Sequence, residues 1–260
     1  MHRRSLLASL AQVLLLPAFP ALAATEAAPL SVLVLGDSQA QGLAAGLQRV
    51  VRRKHLYRII DRSKIGTGLV SHLYDWPSAV KQLVVSDHAD VAIVMFGAND
   101  RPPIRINGKI DAARSAAFQV QYGNKVREIA ETLHGAKIPV IWVGHPIVAD
   151  PLYSQDMSML NGIYAEDAGA AGAQFFPTWN IFAAPDGSYN AYGKDADGAT
   201  ARLRADDGIH LTVTGYNLLA MDLLPQIASE VAQAQPATPA VADPASATPA
   251  AAPLAKPAAK

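Results

Sequence analysis

The stretch SVLVLGDS, residues 31–38, joins a short run of valine and leucine to a glycine, an aspartate and a serine. Four more apolar runs follow it, at residues 56–60, 91–96, 139–143 and 174–176. Short runs rich in valine, isoleucine, leucine and phenylalanine are typical of strands that are buried on both faces of a sheet. The segment 31–38 is therefore predicted to be the first strand of a buried sheet, followed by a turn into a helix.

The stretches between these runs carry apolar residues at helical spacing. Two stripes show it best: Leu43, Leu47, Val50 and Val51 after the first run, and Leu219, Leu223, Leu224, Ile227 and Val231 near the end. Such stripes predict helices that pack on a sheet, and Thr212 or Thr214 would cap the last one. Alternating strands and helices build a parallel sheet whose ligands bind at the carboxyl ends of the strands. The sequence therefore predicts an α/β fold with its functional residues directly after the runs.

The composition excludes several classes of protein. The 260 residues include 22 basic and 22 acidic side chains, so the formal charge is zero and no nucleic-acid partner is expected. The chain has no cysteine, which excludes a disulfide scaffold and a thiolate metal site. Without the two ends described next, about 210 residues remain, enough for one domain with a substantial core.

The first 23 residues are predicted to be an export signal. Arg3 and Arg4 precede an apolar run, and a small-residue cleavage pattern follows at residues 21–23. Two prolines, Pro17 and Pro20, interrupt the run before it is long enough for a membrane anchor. The paired arginines also fit a twin-arginine signal, which acts after folding. Either route predicts a periplasmic or secreted protein with no stable membrane insertion after cleavage.

The other end is predicted to be a disordered tail. Residues 236–260 contain eleven alanines and six prolines, which offer too little large apolar surface to offset the entropy of ordering. We therefore predict a short linker at residues 24–30, one domain at residues 31–234 and a tail at residues 235–260.

Three blocks of sequence carry residue types that suit nucleophilic catalysis. Gly36-Asp37-Ser38 ends the first run, and a serine on a strand-to-helix turn can present its hydroxyl near a helix N-terminus. Gly97-Ala98-Asn99-Asp100 ends the third run, where an amide can donate to developing negative charge. Asp207-Gly208-Ile209-His210 precedes the last helix, and its carboxylate can orient the imidazole. Alone, each block has a structural alternative: a capping serine, an Asx turn, or a capping aspartate beside a surface histidine.

Together and in this order, the blocks resemble those of the SGNH, or GDSL, hydrolase superfamily. The resemblance covers roughly residues 31–232 and includes a glycine after the second run. It implies a three-layer, flavodoxin-like fold with a central, mostly parallel five-stranded sheet and helices on both faces. It also implies a serine esterase from a poorly characterised, exported branch of the superfamily.

The resemblance assigns a role to each block. Ser38 would be the nucleophile and His210 the general base and then the acid, with Asp207 orienting His210. Asp206 is a rival of Asp207, but its spacing to the histidine is less favourable. The oxyanion hole would comprise the N–H of Ser38, the side chain of Asn99 and a glycine N–H.

Two glycines compete for that last position. Counting from the end of the second run favours Gly66, and Gly68 remains an alternative because the segment lacks the asparagine that often opens this block. The mechanism needs no metal or organic cofactor. Residues 195–198 resemble a calcium loop only faintly, and a polar turn is the better interpretation.

Further residues are candidates for substrate contact: Asp37, Gly68, Trp76, Asp100, Arg101 and His145. An exposed Trp76 would stack on a sugar ring, and its alternative is a place in the core. Arg101, with Arg202 and Arg204, would bind an anionic polymer or pair with nearby aspartates. His145 would line the cleft or make a structural hydrogen bond. An Asn-Gly pair at residues 107–108 predicts a hairpin over residues 104–110, which could lie over the cleft.

The leading hypothesis is an exported serine esterase that removes small acyl groups, chiefly acetyl, from envelope or extracellular carbohydrate. Its partner would be a small ester or an acylated carbohydrate, and the sequence leaves the oligomeric state open. A lipid esterase or thioesterase and a polysaccharide O-acetyltransferase are alternatives with the same nucleophile. A catalytically silent, glycan-binding envelope protein is the alternative from a different class.

Overall fold

The computed structural model describes residues 28–71, 73–101, 104–106, 109–111 and 114–234. The predicted export signal, most of the predicted linker and the alanine- and proline-rich tail lie outside the described residues. Secondary structure within them begins at Leu30 and ends at Ala234.

Strands and helices alternate along this part of the chain. In order they are β1 (Leu30–Gly36), α1 (Ser38–Val51), β2 (Tyr57–Asp61), α2 (Trp76–Ser86), β3 (Val91–Met95), β4 (Ile104–Ile106), β5 (Lys109–Asp111), α3 (Ala116–Gly135), β6 (Val140–Val143), α4 (Pro151–Ile163), a π-helical turn (Tyr164–Ala168), β7 (Gln174–Phe176), α5 (Trp179–Phe182), β8 (Tyr192–Lys194), β9 (Thr200–Arg202) and α6 (Val213–Ala234). All five apolar runs are strands, within one or two residues of the predicted bounds.

Five strands form the central sheet in the order β2-β1-β3-β6-β7, and every neighbouring pair is parallel. The prediction of an α/β fold around a five-stranded sheet is confirmed, with a sheet that is entirely rather than mostly parallel. The order reverses at β1, because β2 pairs with one edge of it and β3 with the other. The carboxyl ends of β1 and β3 therefore meet at the switch point where ligands bind in open α/β sheets.

The central strands β1, β3 and β6 are buried on both faces, as their continuous apolar runs predict. The edge strands β2 and β7 are partly exposed, so the prediction of burial on both faces is wrong for the runs at residues 56–60 and 174–176. Along β1, Leu33 and Leu35 pack on the side that holds α2, α3 and α4, and Val32 and Val34 pack on the side of α1 and α6. This alternation follows from the period of two along a strand. The predicted stripes of α1 and α6 face the same layer, so these two helices pack together on one face of the sheet.

α6 begins after a threonine cap. Thr212 Oγ1 accepts a hydrogen bond from the N–H of Gly215 at 3.1 Å, so Thr212, rather than Thr214, caps the helix. Pro225 lies inside the helix. Among the helices of the described residues, none is both long and apolar enough to cross a membrane.

Two small antiparallel hairpins stand outside the main sheet. β4 pairs with β5, as the Asn-Gly signal predicts, although residues 107–108 themselves lie outside the described residues. β8 pairs with β9 around a polar turn in which Asp195 Oδ1 accepts from the N–H groups of Asp197 and Ala199. The sequence did not predict this second hairpin, because its strands are only three residues long and carry no apolar run.

Candidate active site

The switch point presents a serine at the start of a helix. Gly36 ends β1 with φ of 140°, and a Cβ there would lie 1.9 Å from the carbonyl oxygen of Met95. Only glycine allows β3 to approach so closely. Asp37 then caps α1 by accepting from the N–H of Gln39 at 2.9 Å. Ser38 is therefore the first residue of the helix, and the structural alternative that made Ser38 the cap is wrong.

The loop before α6 completes a hydrogen-bonded series with this serine. Ser38 Oγ lies 2.8 Å from His210 Nε2, and His210 Nδ1 lies 2.6 Å from Asp207 Oδ2. Asp206 instead forms an ion pair with Arg202. The structure thus brings together the three side chains that the sequence singled out, and it selects Asp207 over its neighbour.

Asp207 is held as a carboxylate. Its partial burial favours the neutral acid, but hydrogen bonds from the N–H of Ile209 and from the ring and N–H of His210 outweigh this effect and lower the pKa of Asp207. An ionised carboxylate only accepts hydrogen bonds, so the proton of the imidazole lies on Nδ1. Nε2 is then free to accept the hydrogen of the Ser38 hydroxyl.

The loop after β3 brings an amide to the same edge. Asn99 Nδ2 donates to the carbonyl of Thr67 at 2.9 Å, which fixes the orientation of the side chain. Nδ2 carries two hydrogens, so this bond leaves a second donor. The partly exposed Asn99 can therefore both join two loops and donate to a ligand.

The two competing glycines lie in different surroundings. Gly66 is exposed with φ of 72°, and nothing lies within 4 Å of the position of a Cβ. Gly68 is buried, and a Cβ there would lie 2.2 Å from Asp100 Oδ1. The N–H of Lys64 donates to the carbonyl of Gly36 at 2.8 Å, which holds the start of this loop beside the end of β1. Of the two, Gly66 is therefore the one on an open surface near Ser38.

Two carboxyl groups are buried beneath these loops. Asp37 is fully buried and its second oxygen accepts from the N–H of Ala98 at 3.1 Å. Asp100 accepts from the N–H of Val70 at 3.0 Å and from the hydroxyl of Tyr122 at 2.8 Å. Burial raises the pKa of Asp37 to about 7 and that of Asp100 to about 6. Both buried carboxyls hold the loops in place by accepting these hydrogen bonds.

Three more of the residues predicted as candidates for substrate contact are also buried. Trp76 is fully buried, with Nε1 donating to Thr67 Oγ1 at 3.0 Å, so it is the core residue of the alternative interpretation. His145 is also fully buried, and its Nδ1 lies 2.9 Å from the carbonyl of Pro146. Burial lowers the pKa of His145 to about 4, so the ring is neutral and structural. Gly68 packs against Asp100, which leaves no room for a side chain at this position.

The three arginines predicted to bind an anionic polymer or to pair with aspartates form bonds with acidic side chains or backbone carbonyl groups. Arg101 Nε donates to Asp156 Oδ2 at 2.9 Å, and its guanidinium lies 4.1 Å from the centroid of the Tyr153 ring. Arg202 pairs with Asp206, and the buried Arg204 donates to backbone carbonyls of the loop before His210. The alternative of pairing is confirmed for Arg101 and Arg202.

Sequence reasoning missed several residues that hold the site. Thr67 accepts from both Asn99 and Trp76, and the hydroxyl of Tyr153 donates to the carbonyl of Ala98. Gln39 bonds across to the loop before His210. The position of Gln39 directly after the serine was a usable signal, since a polar side chain on an otherwise apolar inner face needs a partner.

The family comparison matches residues 31–226 to the family described as "Protein of unknown function (DUF459)". No curated protein matches the sequence significantly.

The fold is similar to that of several solved structures. A protein assigned as an SGNH hydrolase from Slackia heliotrinireducens is 16% identical with a TM-score of 0.54, over 76% of this chain and 99% of that one. A GDSL-like lipase from Bacteroides thetaiotaomicron is 18% identical with a TM-score of 0.54, over 80% and 93%. The lipopolysaccharide acetyltransferase periplasmic domain of Salmonella ser. Paratyphi A is 15% identical with a TM-score of 0.53, over 77% and 84%. At these identities the likeness concerns the fold, and the chain has the fold of the SGNH hydrolases.

Proposed function

The chain belongs to the DUF459 family, and we propose that it is an exported serine esterase that removes small acyl groups, chiefly acetyl, from envelope or extracellular carbohydrate. The observation that carries the proposal is the series from Ser38 Oγ through His210 to Asp207, with links of 2.8 and 2.6 Å. A serine hydroxyl is a weak nucleophile until a neutral imidazole removes its proton. This series supplies that imidazole in the tautomer that the reaction needs.

In the proposed reaction, Ser38 Oγ attacks the ester carbonyl as its proton passes to His210 Nε2. The imidazolium formed is stabilised by Asp207 and then protonates the departing alcohol. Water attacks the acyl-serine in the second half and gives a proton to His210, which passes it to Ser38 Oγ as the bond between the acyl carbon and Oγ breaks and the carboxylic acid leaves. The alcohol has taken the original proton of Ser38, water replaces it and supplies the hydroxyl of the acid, and both side chains return to their starting state.

The oxyanion of each tetrahedral intermediate would be bound by the N–H groups of Ser38 and Gly66 and the free N–H of Asn99. First-turn N–H groups have no partner within their own helix, and the positive end of the α1 dipole lies at Ser38. The exposure of Gly66 supports it as the glycine donor. Donors of this kind are worth about 3 kcal/mol each to the transition state.

Export is proposed from the sequence, and the carbohydrate substrate from that export together with the resemblance to the SGNH hydrolases. The pattern of residues 1–23 supports export to the periplasm or beyond. The acyl group is proposed to be small because the sequence offers no long apolar flap that would favour a long acyl chain.

The test is hydrolysis of a panel of p-nitrophenyl esters and acetylated glycans by the purified protein and by Ser38→Ala. We expect turnover of acetyl esters to fall by at least 1,000-fold in Ser38→Ala, on the order seen when a serine nucleophile is removed. Ser229→Ala, which changes an exposed serine on α6, is the matched control and should be fully active. Unchanged turnover in Ser38→Ala would refute the mechanism, and preference for decanoyl over acetyl esters would refute the acyl group proposed. Analysis of products with an acceptor sugar present separates hydrolysis from transfer.

A further inference from the structure

The side chain of Gln39 connects the nucleophile helix to the loop that carries His210. It follows Ser38 in α1 and is fully buried. Its Nε2 donates to the carbonyl of Ile209 at 2.9 Å, across 170 residues of sequence. Its Oε1 accepts from the hydroxyl of Tyr216 at 2.8 Å. Because a carbonyl oxygen only accepts, the amide has one orientation that satisfies both contacts.

The peptide groups on both sides of Ile209 are fixed by these contacts. Its N–H donates to Asp207 Oδ1 at 2.8 Å. Its carbonyl accepts from Gln39 and also from Arg204 Nη2, each at 2.9 Å. This carbonyl belongs to the peptide group that joins Ile209 to His210, so its direction determines the position of the His210 Cα and hence of the imidazole. Loss of Gln39 would remove one of the two side chains that donate to this carbonyl, so the peptide that enters His210 would be held less firmly.

Tyr216 reaches Gln39 because α1 has no side chain in its path. A Cβ on Gly42 would lie 2.0 Å from Cζ of Tyr216, and one on Gly46 would lie 2.5 Å from the carbonyl oxygen of Tyr216. These two glycines are one helical turn apart, so α6 packs with its tyrosine directly on the backbone of α1. Burial raises the pKa of Tyr216, so its hydroxyl remains a donor to Gln39 over the range in which an esterase is assayed.

We propose that Gln39 is a positioning residue for His210. It touches neither substrate nor the reacting atoms, and it acts by holding the Ile209 carbonyl so that Nε2 stays 2.8 Å from Ser38 Oγ. Tyr216 orients the amide of Gln39 for this purpose. The inference rests on the proposed function, since it assigns a role relative to the proposed base.

The first test is Gln39→Met, which keeps the length of the side chain and removes both polar contacts. With p-nitrophenyl acetate, kcat should fall on the order of 10- to 100-fold, the cost of displacing a catalytic group by about 1 Å. KM should change by less than about twofold, because no contact with substrate is lost. Gln41→Met is the matched control, since Gln41 is an exposed glutamine on the same helix. Its kcat should be unchanged.

The second test separates positioning from a general structural role. In a His210→Ala background the base is already absent, so adding Gln39→Met should leave the residual rate unchanged. Residues that act as a unit are non-additive in this way. If the same factor is lost with and without His210, Gln39 does not act through it and the inference is wrong. An unchanged kcat in the single variant overturns it as well.

Tyr216→Phe keeps the ring between the helices and provides a test if Gln39→Met does not fold. Losing the hydroxyl leaves the amide unoriented, and kcat should fall about 3- to 10-fold with KM again steady. An unchanged kcat in Tyr216→Phe would show that Tyr216 does not orient the amide of Gln39. Full activity of Ser38→Ala would overturn the proposed function itself, whereas an inactive Ser38→Ala beside a fully active Gln39→Met would overturn only the role of Gln39.

Discussion

Removing the hydroxyl of Tyr122 should destabilise the protein more at high pH than at low pH. The hydroxyl donates to Asp100 Oδ2 at 2.8 Å and lies 2.8 Å from the hydroxyl of Tyr164. Burial raises the pKa of Asp100 to about 6, so the carboxyl is mostly neutral at pH 5 and charged at pH 8. In Tyr122→Phe the charged form loses one of its donors, which raises the pKa of Asp100 further.

The sign and the size follow from proton linkage. The folded state holds the proton of Asp100 more tightly than the unfolded state, so the free energy of unfolding already falls as the pH rises from about 4 to 6. In the variant this fall extends to higher pH. A neutral hydrogen bond is worth about 1 kcal/mol and one to a charged group about 1.5–3 kcal/mol. We therefore expect Tyr122→Phe to lower the free energy of unfolding by about 1 kcal/mol at pH 5 and about 2–3 kcal/mol at pH 8.

Urea denaturation at both pH values measures the difference. Asp37, whose pKa is about 7, titrates in both proteins and largely cancels in the comparison. Tyr192→Phe, which removes a hydroxyl from an exposed tyrosine on β8, is the control and should change stability little at either pH. Equal losses at pH 5 and pH 8 would show that the hydroxyl does not stabilise the carboxylate, and the reasoning about this buried group would fail.

Two further predictions concern the loops around the site. Gly68→Ala should lower the free energy of unfolding by at least about 2 kcal/mol, because its Cβ would lie 2.2 Å from Asp100 Oδ1. Gly66→Ala should lower it by only about 1 kcal/mol, the cost of an alanine in the left-handed region with open space around its Cβ. Thermal melting that finds Gly66→Ala the less stable variant would contradict the tight packing of Gly68 and the open surroundings of Gly66. Asp207→Asn should lower kcat by about 1,000-fold or more while the fold is kept, because the amide can donate to Nδ1 and favour the wrong tautomer of His210. Steady-state kinetics with p-nitrophenyl acetate measures the change. A loss in kcat below about tenfold would show that the carboxylate does not orient His210.

The central strands of the sheet could be predicted from the sequence because they are buried on both faces. Continuous apolar runs such as residues 31–35 have few other interpretations, and the runs at residues 31–35 and 91–96 lead directly into the blocks that contain Ser38 and Asn99. Two of the three blocks, those of Ser38 and Asn99, were predictable for this reason, since the carboxyl ends of parallel strands converge on one edge. The third block precedes α6, and it reaches Ser38 because α6 packs on α1.

Burial of polar residues could not be predicted in the same way. Asp100 and His145 follow strand ends just as Asn99 does, and only the positions of α3 and α4 decide that their side chains turn inward. Trp76 is an aromatic residue beside a loop of the site, and its place in the core depends on Phe96 and Tyr74, which pack against its ring. The contact of Gln39 depends on the packing of α1 on α6, for which Gly42 and Gly46 were the only local signal.

The hydroxyl of Ser38 and its imidazole partner are 172 residues apart in the sequence, and they meet only because α6 docks on α1. During synthesis the nucleophile leaves the ribosome early and the base among the last residues of the domain. In the proposed mechanism, a nascent or truncated chain that lacks α6 would hold an unactivated serine, and turnover would begin only once the final helix packs on α1. Measured turnover would then report that the tertiary structure is complete.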